Sequence, residues 1–229
     1  MQEVLVFAAH PDDELLGVGG TVRLLANQGV RVRAVILAEG LTSRRDSRAE
    51  TAEEDLHRLW QEARRAGETV GYAGMDFCGF PDNRMDSIDL LDIVKRVSGY
   101  VEKYRPDTIF THHHGDLNID HRLTFQAVIT ACRPVKEGFV KRIYTFETPS
   151  STEWNFAYDR IFTPNLFVDV SDTLEAKIQG MQCYSSEACP SPHPRSGESL
   201  RALAAYRGST AGVLFAEAFS VIREIRKSF

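Results

Sequence analysis

The sequence is poor in cysteine. Its four cysteines, Cys78, Cys132, Cys183 and Cys189, include no C-x-x-C pair. That excludes a zinc ribbon and a dense disulfide framework, and it points to free packing thiols in a reducing, cytoplasmic setting. Long apolar runs are missing too. The opening run, residues 4–9, is too short to span a bilayer and has no basic leader before it, so neither a membrane span nor a signal peptide is expected. There is no excess of positive charge. With 27 Lys and Arg against 32 Asp and Glu, the net charge is -5, the wrong sign for general phosphate binding, and nucleic acid is not an expected partner. Repeats and low-complexity tracts are also absent. A chain of 229 residues, 43% hydrophobic and 26% charged, is then expected to fold as one globular domain over residues 1–229.

What the sequence does contain is an alternation of strand and helix. Residues 4–8 read as a buried strand. Over residues 14–27, Leu15, Leu16, Val18, Val22, Leu24 and Leu25 fall at helical spacing, with Gly29 as a stop. A second strand is expected at 30–38, a charged helix at 47–66 and a short strand region at 71–80. Pro81, Asp82 and Asn83 signal a turn. Asp86 or Ser87 can cap a helix that runs to Tyr104 and is stopped by Pro106. A strand at 108–111 and a helix at 120–132 follow, then strands at 141–147 and 166–170 and helices at 171–184 and 196–208. This rhythm predicts an α/β fold: a Rossmann-like, doubly wound, mostly parallel sheet with helices on both faces.

Two segments concentrate chemistry. His10-Pro11-Asp12-Asp13-Glu14 sits where the first strand gives way to a helix, and ligands of open α/β sheets bind outside the carboxyl ends of strands. Pro11 fixes its own φ and holds His10 extended, so the turn is stiff. His10 and Asp13 can reach one ion from it, since zinc accepts imidazole nitrogen and carboxylate oxygen, and Asp12 remains as a second carboxylate beside a bound water. Helix capping explains the acids but not the preceding His-Pro. The second segment, residues 112–121, holds His112, His113, His114 and His121 with Asp116 and Asp120, four of the seven histidines in the chain. In a doubly wound sheet its strand can neighbour the first at the point where the strand order reverses, a geometry that would bring His121 to His10 and Asp13.

With both motifs in view, the sequence resembles the PIG-L/LmbE family of N-acetylglucosaminyl deacetylases. The segment Ala9 to Glu14 matches the family's A-H-P-D-D-E, and Asp120-His121 its second motif. Ser43-Arg44-Arg45, Phe80 to Arg84, His193 to Ser196, Arg207-Gly208 and Ala216 to Phe219 are similar as well. The resemblance implies a divalent metal, Zn2+ with Fe2+ or another divalent ion as alternatives, held by His10, Asp13 and His121. It implies Asp12 as general base, a small-molecule N-acetyl amino sugar as substrate, free or conjugated to a glycan, nucleotide or glycoside, and a homo-oligomer. Many members carry His-x-x-His at the second motif, where this chain has Asn118. An amide can donate to an oxyanion but cannot supply a proton, so His193, His113 or Asp12 itself is left as general acid. Arg44, Arg45, Asp82 and Arg84 are candidates for holding the sugar or its anionic aglycone, and Asp120 for orienting His121 or Asn118.

Other classes compete. Gly17, Gly19 and Gly20 after a strand suggest dinucleotide binding, but Val22 stands where the third glycine belongs. A non-catalytic metal- or sugar-binding module has no need of Asp12, and a metal-dependent amidase on a different conjugate would use the same residues.

Overall fold

The computed structural model describes residues 1–41, 53–135, 139–156 and 160–226. Among these residues seven strands form one sheet: β1 (Glu3–Ala8), β2 (Arg31–Ala38), β3 (Gly74–Phe80), β4 (Thr108–His112), β5 (Arg142–Phe146), β6 (Leu166–Asp169) and β7 (Ala216–Glu224). They lie in the order β3-β2-β1-β4-β5-β7-β6. The first five pair in parallel, and β7 runs antiparallel to both β5 and β6. Among the described residues six α-helices cover the sheet: α1 (Asp13–Asn27), α2 (Glu53–Val70), α3 (Leu90–Tyr104), α4 (Ile119–Ala131), α5 (Leu174–Gln182) and α6 (Gly197–Ala211).

The alternating side chains of the strands divide the core in two. Val4, Val6, Ala34, Ile36 and Phe146 pack with α1, α2, α5 and α6 on one face. Leu5, Phe7, Val35, Leu37 and Ile109 pack with α3 and α4 on the other. Period-two alternation with both faces buried makes β1 a run without any exposed position, as a central parallel strand requires. The doubly wound, mostly parallel sheet expected from the sequence is the architecture observed.

The glycines of α1 serve packing. A Cβ on Gly17 would overlap the Phe146 ring, and one on Gly20 would meet Val170 Cγ1 at 3.0 Å. These bare positions let α1 press onto β5 and onto the turn before α5, which leaves the dinucleotide reading without its phosphate-facing glycines. Among the described residues no helix is long and apolar enough to cross a membrane, and all four cysteines are free.

Three expectations are corrected. α3 starts at Leu90, because Met85–Ser87 forms a separate 3-10 turn and Ile88 is extended. α5 starts at Leu174, because Ser171 N–H and Oγ donate to Asp169 Oδ1 and bend the chain. β7 was not anticipated at all. Its buried stretch carries the charge of Glu217, which is tolerated only through distant partners: Lys177 Nζ donates at 2.7 Å, and Gly20 and Thr21 N–H donate at 3.0 and 2.7 Å. The start of the 47–66 helix lies outside the described residues, and the described helix begins at Glu53.

The close seat of Gly17 carries a test. Gly17→Ala is expected to destabilise by roughly 1–3 kcal/mol through overpacking against Phe146, seen as a lower urea midpoint at unchanged m-value. An unchanged midpoint would mean that α1 is not held tightly against β5.

Candidate active site

β1 and β4 pair in parallel, Val4 with Thr108 and Val6 with Phe110, so their carboxyl ends open at the same place. From β1 the chain turns through Ala9 to Asp12 and enters α1. From β4 it turns through His113 to Asn118 and enters α4. Asp12 takes φ 102, a left-handed conformation costing a branched-free residue about 1–3 kcal/mol. Asn118 caps α4, its Oδ1 accepting Asp120 N–H at 2.8 Å.

These two turns bring three donor atoms together. His10 Nδ1 lies 3.2 Å from His121 Nε2 and 3.3 Å from Asp13 Oδ2, and His121 Nε2 lies 3.2 Å from the same oxygen. Two nitrogens and one carboxylate oxygen within one contact distance are a donor set that suits zinc with an open position. Burial lowers the affinity of both imidazoles for protons, but carboxylates outweigh it. His121 is pushed up to about 9 by Asp13 and Asp116, and His10 is raised by Asp120 and Asp13. Burial favours a neutral Asp13, yet the charge of His121 and the hydrogen bonds of His10 and His121 hold its carboxyl well below the usual range.

Each imidazole is backed by its own carboxylate. Asp116 Oδ1 stands 3.1 Å from His121 Nδ1 and accepts from Ser151 Oγ, while its Oδ2 accepts from Thr152 Oγ1 at 2.5 Å. Asp120 Oδ2 faces His10 Nε2 at 3.0 Å, and Asp82 Oδ1 faces it at 3.2 Å. Asp120 is fixed in turn by Asn83 N–H at 2.7 Å and Met85 N–H at 3.0 Å. Of the two partners expected for Asp120, Asn118 is met by its peptide N–H, whereas its carboxylate faces His10 and it is Asp116 that stands behind His121. His112 lies beneath this set, its ring stacked on His121 with centroids 3.9 Å apart. Its Nε2 accepts Ala9 N–H at 2.9 Å, and burial pushes it down to about 3, so it is a neutral packing residue.

Above the donors is a cavity of about 120 Å³, room for about four waters. Asp12, Asp82, Asn118, Glu187 and Arg195 line it together with the donor residues. Asp12 is 1% exposed. Burial raises its carboxyl well above the ordinary value against the opposing pull of Arg195, whose Nη1 sits 2.8 Å from Asp12 Oδ2. Asn118 Nδ2 donates to Asn83 Oδ1 at 2.7 Å, which leaves one amide hydrogen for a ligand.

The chain matches the family described as GlcNAc-PI de-N-acetylase, PIG-L, over residues 5–132. It belongs to the PIG-L family. It is similar to a diacetylchitobiose deacetylase of Thermococcus kodakarensis, 27% identical over 228 residues, covering 95% of this chain and 82% of that protein. A probable N-acetyl-alpha-D-glucosaminyl L-malate deacetylase 2 of Bacillus cereus is 30% identical over 193 residues, 81% of this chain and 84% of that one. A crystal structure of the 4-carboxy-2-hydroxymuconate hydratase from Pseudomonas putida superposes with TM-score 0.80 at 23% identity, over 100% of this chain and 99% of that chain, and shares the fold.

In this PIG-L protein, some anticipated site residues fall elsewhere. Arg44 and Arg45 lie outside the described residues. Arg84 is exposed and does not line the cavity. His193 is not among the lining residues either, and its Nδ1 accepts Arg195 N–H at 3.2 Å. His113 Nε2 is engaged by the Arg160 carbonyl at 2.9 Å. Arg195, Glu187 and Asp116 were not anticipated. Arg195 did stand inside the His193 to Ser196 similarity, the one signal that pointed to it.

Two predictions follow from the donor set. Because His121 is raised from 6.5 to about 9, its contribution to the stability of metal-free protein is complete below pH 6.5 and is lost as pH rises through 9. The melting temperature of chelated protein is expected to fall across that window, and a flat profile would contradict the Asp13–His121–Asp116 coupling. Asp116→Asn is expected to weaken zinc binding about 10–100-fold, measured by competition with a chromophoric chelator.

Proposed function

We propose that this protein is a zinc-dependent N-deacetylase that hydrolyses the acetamide of an N-acetyl amino sugar or its conjugate to acetate and a free amine. The observation carrying this reading is the convergence of His10 Nδ1, Asp13 Oδ2 and His121 Nε2 beside the buried carboxyl of Asp12. These three residues would hold the ion, and two imidazoles, once deprotonated, with one carboxylate are a donor set that zinc or Fe2+ takes. The bound ion supplies Lewis acidity to a water and to the amide carbonyl.

The residues of the chain do the rest. Asp12 accepts the proton of the attacking water, and its raised affinity for protons makes it a stronger base than an exposed aspartate. The same raised value lets it return that proton to the departing amine, so no separate acid is required from Asn118. The remaining amide hydrogen of Asn118 is available to the developing oxyanion. Asp82 and Glu187 offer acceptors to sugar hydroxyls. The family membership and the deacetylase relatives support this assignment. The hydratase of the same fold argues for testing acetate release directly, since hydration of a double bond yields none.

The test is acetate release from a panel of free, glycosidic and nucleotide-linked N-acetyl amino sugars. Zinc-dependent release is expected, and Asp12→Asn is expected to keep its zinc while losing activity at least about 100-fold. Zinc-loaded protein that releases no acetate from any of them would overturn the reading in favour of another amide, a hydration or a binding role.

A further inference from the structure

We propose that Tyr184 and Arg195 are positioning residues for Asp12, Tyr184 clamping its backbone from the turn after α5 and Arg195 its carboxylate from the loop before α6. The inference rests on Asp12 as the base of the reading above. Two lines of contact converge on that residue. The first reaches its peptide. Asp12 N–H donates to Glu14 Oε2 at 3.0 Å, and Tyr184 Oη donates to Glu14 Oε1 at 2.5 Å. Glu14 and Tyr184 are both 0% exposed. The second line reaches the side chain. Arg195 Nη1 lies 2.8 Å from Asp12 Oδ2 and 2.5 Å from Glu187 Oε2, and Arg195 Nε donates to Ser150 Oγ at 2.9 Å.

The two lines are tied together at Glu187, which Arg195 Nη1 contacts. Glu187 and Ala188 N–H donate to the Tyr184 carbonyl at 3.2 and 2.9 Å, so Tyr184 and Glu187 belong to a single turn. Asp12 needs such support because its φ of 102 is not a conformation that an aspartate holds unaided. Packing alone does not account for the pair, since a phenylalanine and a leucine would fill this buried space without burying a carboxylate. A guanidinium suits the second line because it works from two atoms of one rigid plane: Nη1 meets both carboxylates while Nε holds the Ser150 hydroxyl, which the single nitrogen of an ammonium does not do.

The test is a double-mutant cycle on the zinc-loaded enzyme, with acetate release, KM, zinc content and melting temperature read in parallel. Tyr184→Phe keeps the ring and removes only the hydroxyl. It is expected to lower kcat roughly tenfold, with KM and zinc content unchanged. In the Asp12→Asn background the same change is expected to cost less than about twofold, because the clamp has nothing left to position. A merely structural role would cost the same factor in both backgrounds, and that result would overturn the proposal. So would an unchanged kcat in Tyr184→Phe. If Tyr184→Phe does not fold, Arg195→Lys and Arg195→Gln are run through the same cycle, with the same non-additivity expected and the same equality overturning it. A fully active Asp12→Asn would instead remove the base reading, and the clamp with it. An inactive Asp12→Asn beside an unaffected Tyr184→Phe removes the clamp alone.

Discussion

The parallel pairing of β1 with β4 is the constraint on which the site depends. It joins Val4 to Thr108, Leu5 to Ile109 and Val6 to Phe110, and so ends two buried strands side by side at the reversal of strand order. A slip of one residue would turn Phe7 and Ile109 from one core face to the other, and both are fully buried. The hydrophobic alternation that builds the two cores therefore also sets the separation of His10 and His121.

On that frame the site is built as a set of compensated buried charges. Each group that meets the ligand has a partner behind it: Asp120 behind His10, Asp116 behind His121, Arg195 behind Asp12. The partners are tied down in turn by peptide N–H groups or hydroxyls, as with Asp120 on Asn83 and Met85. Buried charges are costly unless paired, and here the pairing also fixes which ring nitrogen of each histidine faces the donor set. The same principle holds at a distance from the site. Lys177 and Glu217 form a buried pair whose carboxylate takes two peptide N–H groups of α1, so the helix that begins with Asp13 is anchored at its middle by a charge from β7.

The parts of this arrangement legible in the sequence are those carried by contiguous residues. His10 to Glu14 announced itself by density and by Pro11, and the histidines of 112–121 by concentration. The strand-helix rhythm was enough for the sheet and for its switch point. Contacts between distant segments left no comparable trace. Glu187 and Tyr184 act on the first turn from more than 170 residues away with nothing in their local pattern to indicate it, and Arg195 was marked only by the similarity over His193 to Ser196. The exchange of roles between Asp116 and Asp120 has a geometric reason. On a helix, neighbours at i and i+1 point about 100° apart, so Asp120 cannot face the ring of His121, whereas Asp116, in the loop before α4, can. β7 was missed because a buried glutamate interrupts its apolar run, and its charge makes sense only beside Lys177.

The most direct measurement of the central claim is anomalous diffraction at the zinc edge from crystals of zinc-loaded protein. The account predicts one strong peak within about 2.0–2.2 Å of His10 Nδ1, Asp13 Oδ2 and His121 Nε2, with Asp12 next to it but not bound. A peak at other residues, or a zinc-replete crystal with no peak between β1 and β4, would contradict it.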